Sequence, residues 1–193
     1  MDNNFPLLIV GLGNPGIEYE KTRHNIGAFV AYYYAQRYSI AFKQMKNLDG
    51  FVGVGAIEGR KVIFLLPTTY MNLSGRAVRK CVEYYNIPLS NLLVLCDDTY
   101  LNFSDVRFKI GGSSGGHNGL KDIENMFGTK DYLRLRIGIG EKTTEDLADY
   151  VLQNFTKDEL SKLDDIVEKC IIEIQKNILT QQEDKQNEDL RRN

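Results

Sequence analysis

Only two histidines occur in the chain, His24 and His117, and each sits in a short polar stretch flanked by glycine. The first lies in Thr22-Arg23-His24-Asn25-Ile26-Gly27, the second in Gly115-Gly116-His117-Asn118-Gly119. A neutral imidazole can take a proton from water near neutrality, because its unperturbed pKa is about 6.5. A carboxylate at the end of a buried strand, such as Asp97, can hold the other ring N–H and stabilise the imidazolium. Asn14, Asn72 and Asn118 lie in turns and add neutral donors and acceptors. Such amides suit a peptide backbone or a developing oxyanion. Together these residues point to base-assisted attack by water. Each also has a plainer reading: a structural histidine, an Asx-turn asparagine, a solvated strand-end acid.

Three competing patterns are present in outline. Gly11-x-Gly13-x-x-Gly16 follows a strand, as in dinucleotide-binding turns. However, Pro15 removes an N–H where phosphate would need one, and residues 29–38 hold no acid for a ribose. Gly112-x-Ser114-x-Gly116 has the form of a nucleophile elbow, yet the sole downstream histidine is His117, three residues away. A Ser-based esterase stays open as an alternative. A loop so rich in glycine also lets a substrate backbone approach closely. Two histidines and three widely spaced cysteines make no metal motif, so no metal or cofactor is expected.

The elements that must position these groups follow from periodicity. Residues 7–10 form an apolar run into a tight glycine-proline loop, and 92–96 form a second buried strand ending at Asp97-Asp98. Residues 51–57 and 61–66 read as a hairpin, 106–110 and 132–139 as further strands. Helices are expected over 22–39, 72–85 and 118–127. A last helix should start at Thr156, where Thr156 and Glu159 form a capping box, with Phe155 and Leu160 as its hydrophobic staple, and run to Ile178. Alternating strands and helices predict an α/β domain with a twisted mixed sheet over 1–179. Residues 180–193 are almost wholly polar and read as a frayed tail.

The 193 residues, 42% hydrophobic and 26% charged, suit one domain with a sizeable core. No apolar run approaches the roughly 18 residues that span a bilayer, and Met-Asp-Asn-Asn shows no secretory signal. Cys81, Cys96 and Cys170 form no disulfide framework, which fits a reducing cytosol. Net charge is −2, but residues 156–193 hold ten acidic and seven basic residues, so 1–155 is slightly basic. Arg107 and Lys109 are two apart on one strand, Arg134 and Arg136 on another, and period-two spacing puts each pair on one face.

In order and spacing, several of these stretches resemble one bacterial family. They are Gly11-Leu12-Gly13-Asn14-Pro15-Gly16, Tyr19, the His24 stretch, Thr69-Tyr70-Met71-Asn72-Leu73-Ser74-Gly75, Asp97-Asp98, the stretch from Gly115 to Asp122, and Arg134-Leu135-Arg136-Ile137-Gly138-Ile139-Gly140. The chain is similar over roughly 7–155 to the peptidyl-tRNA hydrolases. The resemblance implies hydrolysis of the ester between a nascent peptide and the 3′-ribose of tRNA, without metal or cofactor, rescuing tRNA from stalled translation. It implies a cytoplasmic monomer with peptidyl-tRNA as partner and no membrane. By the same likeness His24 is the general base, Asp97 holds it, and Asn14 distinguishes peptidyl-tRNA from aminoacyl-tRNA. Tyr19, Tyr70, Met71, Asn72 and Asn118 match substrate-contacting positions, and His117 falls in the glycine-rich signature. The RNA should be held by charge, with Arg107, Lys109, Arg134 and Arg136 as candidates. Thr99-Tyr100-Leu101-Asn102-Phe103 departs from the family pattern of Leu, acid, Leu and Pro, and Cys96 stands where a His often precedes the acid. Some relatives of this fold bind RNA without catalysis, but such a module would not need both His24 and Asp97.

Overall fold

The computed structural model describes residues 2, 4–140 and 146–179. The expected tail over 180–193 lies outside the described residues. Seven strands form one mixed sheet in the order β2-β3-β4-β1-β5-β7-β6. They are β1 (Leu7–Gly11), β2 (Phe42–Met45), β3 (Gly50–Ile57), β4 (Arg60–Pro67), β5 (Leu92–Asp98), β6 (Val106–Ile110) and β7 (Leu133–Gly138). The helices are α1 (Ile26–Arg37), α2 (Ser74–Tyr85), α3 (Asn118–Phe127), α4 (Leu147–Leu152), α5 (Lys157–Leu160) and α6 (Leu163–Ile174).

The middle strands β4, β1, β5 and β7 run parallel, and antiparallel neighbours close both edges. Parallel strands covered on both faces need apolar side chains on both, which explains the unbroken runs at β1 and β5. Leu7, Ile9, Leu93 and Leu95 face a core shared with α1 and α6. Leu8, Val10, Leu92 and Val94 face the opposite core, under α2 and α3. The carboxyl ends of the parallel strands all open at one edge of the sheet, where α/β proteins place ligands.

Two expected elements are shaped differently. The helix predicted from residue 22 begins instead as a 3₁₀ turn, Arg23–Asn25, ahead of α1. Thr22 is drawn into a β-bridge with Asn154, and the Arg23 N–H donates to the Gln153 carbonyl. The last helix keeps its capping box at Thr156 and Glu159 but breaks after α5. There the Ser161 hydroxyl donates back to the Asp158 carbonyl, competing with the helical ladder. Phe155 is buried as a staple requires, whereas Leu160 stays 37% exposed. Strand β2 and helix α4 were not legible as elements. Among the described residues no helix is long and apolar enough to cross a membrane.

Candidate active site

The site grows from the loops at that carboxyl edge. The turn bearing His24 precedes α1, which lies unusually close to the sheet. A Cβ added at Gly27 would sit 2.2 Å from the Leu95 carbonyl oxygen, so only glycine allows this approach. Strand β5 extends past Cys96 to include both acids, because Asp97 pairs with Ile137 and Asp98 with Gly138 on β7. The result brings His24 Nδ1 within 2.7 Å of Asp97 Oδ1. His117 Nε2 reaches the same oxygen at 3.0 Å. All three side chains are at least nine-tenths buried.

These contacts fix the protons. His117 caps α3, its Nδ1 accepting from the N–H groups of Gly119 and Leu120 at 3.1 and 3.3 Å. An acceptor nitrogen carries no proton, so His117 donates through Nε2 to Asp97. Burial alone would raise the Asp97 carboxyl, but the two facing imidazoles, His24 first, outweigh it and hold the group well below the usual carboxylate range. An ionised Asp97 only accepts, so His24 donates to it through Nδ1, and the neutral ring then carries its lone pair on Nε2. His117 has no lone pair left. Its place in the glycine-rich stretch does not define that role; the helix-capping bond does.

Two cavities meet at His24. One, of about 450 Å³, is lined by Asn14, Tyr70, Met71, Asn72 and Leu152. The other, of about 310 Å³, is lined by Asp97, Asp98, Thr99, Tyr100, the loop 113–117 and Arg136. His24, Asn118, Ala148 and Val151 line both. Tyr19 stands behind the first cavity, its ring edge-on to that of Tyr70 with centroids 6.5 Å apart.

Asn14 is held on three sides. Its backbone N–H donates to Asn25 Oδ1 at 2.8 Å, and Asn25 Nδ2 donates back to its carbonyl at 2.9 Å. Its own Oδ1 accepts the Met71 N–H at 2.8 Å. The amide oxygen is thus engaged, and Nδ2 is the group left to offer as a donor. Asn72, on the 3₁₀ turn Met71–Leu73 that leads into α2, and Asn118, which opens α3, are spaced by the contact between those helices: the Gly75 N–H, at the start of α2, donates to Asp122 of α3 at 2.8 Å. Asn25 and Asp122 were not singled out from sequence; an adjacent asparagine and a helical acid carry no local signal for such a role.

Arg23 was also missed. Buried beside His24, it pairs with Glu159 at 2.8 Å, donates to the Asn154 carbonyl at 3.0 Å, and lies 4.7 Å from the centre of the Tyr150 ring. It ties the His24 turn to α4, whose Ala148, Val151 and Leu152 wall the cleft. Cys96 faces the second cavity, but burial pushes its thiol far up, so it offers no thiolate.

The four basic residues do stand on one face. Arg107 is opposite Arg136 and Lys109 opposite Arg134 across β6 and β7. Their availability differs. Arg134, expected to meet RNA, is only 1% exposed; it pairs with Glu124 at 3.1 Å and donates to the Ser113 carbonyl at 2.9 Å. It supports the glycine-rich loop and α3 from beneath, since β7 is an inner strand whose face α3 covers. Arg136 pairs with Asp98 and remains 29% exposed, while Arg107 and Lys109 on the edge strand are exposed. On α2 the cations are paired, Arg76 and Lys80 with Asp49 and Arg79 with Glu83.

A family model described as peptidyl-tRNA hydrolase matches residues 8–192. A peptidyl-tRNA hydrolase of Clostridium tetani is 45% identical over 174 residues, covering 90% of this chain and 91% of the relative. One from Rickettsia bellii is 46% identical over 164 residues, covering 84% and 88%. The crystal structure of peptidyl-tRNA hydrolase from Acinetobacter baumannii aligns with a TM-score of 0.82 at 38% identity, covering 92% of each chain. Likeness of this extent, in sequence and in fold, means that the chain belongs to the peptidyl-tRNA hydrolase family.

Proposed function

We propose that the protein hydrolyses the ester joining a peptide to the 3′-ribose of tRNA, with His24 as general base toward water. The observation that carries this reading is the position of the His24–Asp97 pair where the two cavities meet. One cavity is lined by amides that match a peptide backbone. The other holds an arginine and open glycine backbone suited to a ribose-phosphate chain. The ester joining the two halves then lies at His24.

In this mechanism His24 Nε2 takes a proton from water as the oxygen attacks the ester carbonyl. Asp97 stabilises the imidazolium. The tetrahedral oxyanion is met by neutral N–H donors, with Asn14 Nδ2 and the Asn118 amide placed to serve. Collapse breaks the bond to the ribose 3′-oxygen, which takes the proton back from His24. An acid and a tRNA hydroxyl leave, and the base is regenerated. His117 orients Asp97 and does not move protons. Asn72, Met71 and Tyr70 line the peptide side. Arg107, Lys109 and Arg136 form the charge face for RNA.

Two rival chemistries fit the donors poorly. His24, Asp97 and His117 bring three ligand atoms within 4.8 Å. A metal on His117 Nε2 would require the proton to move to Nδ1, where it would oppose the N–H groups of Gly119 and Leu120. Ser114 lies near His117, but both nitrogens of that ring are engaged, so it has no base.

Steady-state turnover of labelled peptidyl-tRNA tests the reading. Turnover should persist in excess EDTA, and a fluorophosphonate should not label the protein. Failure of the wild-type protein to release peptide, loss with EDTA, or stoichiometric labelling at Ser114 would each overturn it.

A further inference from the structure

Tyr100 is a large aromatic side chain that is 75% exposed and borders the second cavity. Its backbone is held in place: the Tyr100 N–H donates to Asp98 Oδ1 at 2.8 Å. The other carboxylate oxygen of Asp98 pairs with Arg136, so the Tyr100 backbone and the arginine are held at one rim through a single acid. Leu101, the next residue, is buried and anchors the turn. Across the cavity stands the loop 113–117. Gly115 and Gly116 have φ of +59° and +88°, and a Cβ at either would meet nothing within 4 Å. Glycine is needed there for the backbone conformation, and the space above it is free.

An exposed aromatic face on an anchored backbone, a half-exposed arginine and bare backbone around one cavity form the combination that holds an unpaired nucleotide. The ring stacks on the base, and the cation and N–H groups meet the ribose-phosphate. We propose that Tyr100 is the stacking platform for an unpaired base near the 3′-end of the tRNA, setting affinity for the nucleic-acid half of the substrate. The inference rests on the functional reading above. It assigns Tyr100 to binding, beyond reach of the ester chemistry.

The sequence contains no tryptophan, so Tyr100→Trp introduces a single reporter. Its emission should be quenched on titration with deacylated tRNA, which carries the base but no ester. In turnover of peptidyl-tRNA, Tyr100→Ala and Tyr100→Leu should raise KM about five- to twentyfold with kcat changed less than about twofold. Tyr100→Phe should restore KM, because the ring and not the hydroxyl is required. On a short N-acyl amino-acid ester lacking nucleic acid, Tyr100→Ala should change kcat/KM by less than about twofold. Unchanged emission at saturating tRNA, equal losses on both substrates, or rescue by leucine as good as by phenylalanine would overturn the proposal. Wild-type turnover is measured alongside, so failure of the hydrolase reading is distinguished from failure of the stacking role.

Discussion

His24 and His117 share one carboxylate oxygen but differ in what their remaining nitrogen does. The second nitrogen of His117 is consumed by the N-terminus of α3, whereas His24 keeps a lone pair. Their replacement should therefore have different signatures. His24→Ala should lower kcat by about 10²–10⁴-fold with KM little changed, the range for a positioned general base. Asp97→Asn can still accept both imidazole N–H groups but withdraws the negative charge. It should cost about 10–100-fold in kcat. Single-turnover kinetics on peptidyl-tRNA measure both. A His24→Ala variant retaining more than about a tenth of wild-type kcat would remove His24 as the base.

At the scale of elements, the cleft wall and the base are coupled through Arg23. Strands β1 and β5 fix the floor, but α4 is six residues long and has little core of its own. The bridge at Thr22 and Asn154 and the Arg23–Glu159 pair attach it to the His24 turn. Glu159 serves twice, since the oxygen that meets Arg23 also accepts the Thr156 N–H of the capping box at 2.7 Å. Removing the cation from a largely buried pair leaves an uncompensated carboxylate. Arg23→Met should cost about 2–3 kcal/mol, a fall in Tm of roughly 5–10 °C, and should raise KM as the wall loosens. Glu159→Gln preserves hydrogen-bonding geometry and should cost about 1 kcal/mol. Differential scanning calorimetry and KM measured together would show whether wall and stability move as one.

For the whole molecule, a net charge of −2 conceals a one-sided distribution. Like charges directly opposite across strands are unfavourable, and two of the four cations on the β6–β7 face are neutralised by Glu124 and Asp98. The exposed pair Arg107 and Lys109 are the candidates for phosphates, joined by Arg136 where a phosphate displaces Asp98. Each phosphate neutralised releases about 0.7–0.9 of a counterion, so log affinity for tRNA should fall against log salt with a slope of about −2 to −3. Replacing both Arg107 and Lys109 by Gln should flatten the slope by about 1 to 2 in a filter-binding or fluorescence titration. An unchanged slope would place the RNA face elsewhere.

The sequence alone determined the buried strands of a mixed sheet, since unbroken apolar runs such as Leu7–Val10 call for cover on both faces. The capping box at Thr156, the start of α3 at Asn118 and the polar turns that bring Asn14, His24 and Asn118 to one cleft were likewise legible, because caps, glycines and polar turns are local signals. Tertiary structure decided what depends on distant partners. The exposure of a cation follows from what packs over its strand: Arg134 and Arg136 share one pattern, yet one is sealed under α3 and the other borders a cavity. The orientation of the Asn14 amide and the place of Arg23 likewise rest on bonds between segments 57 and 136 residues apart. Spacing along a chain carries no information about such contacts until the sheet has brought the segments together.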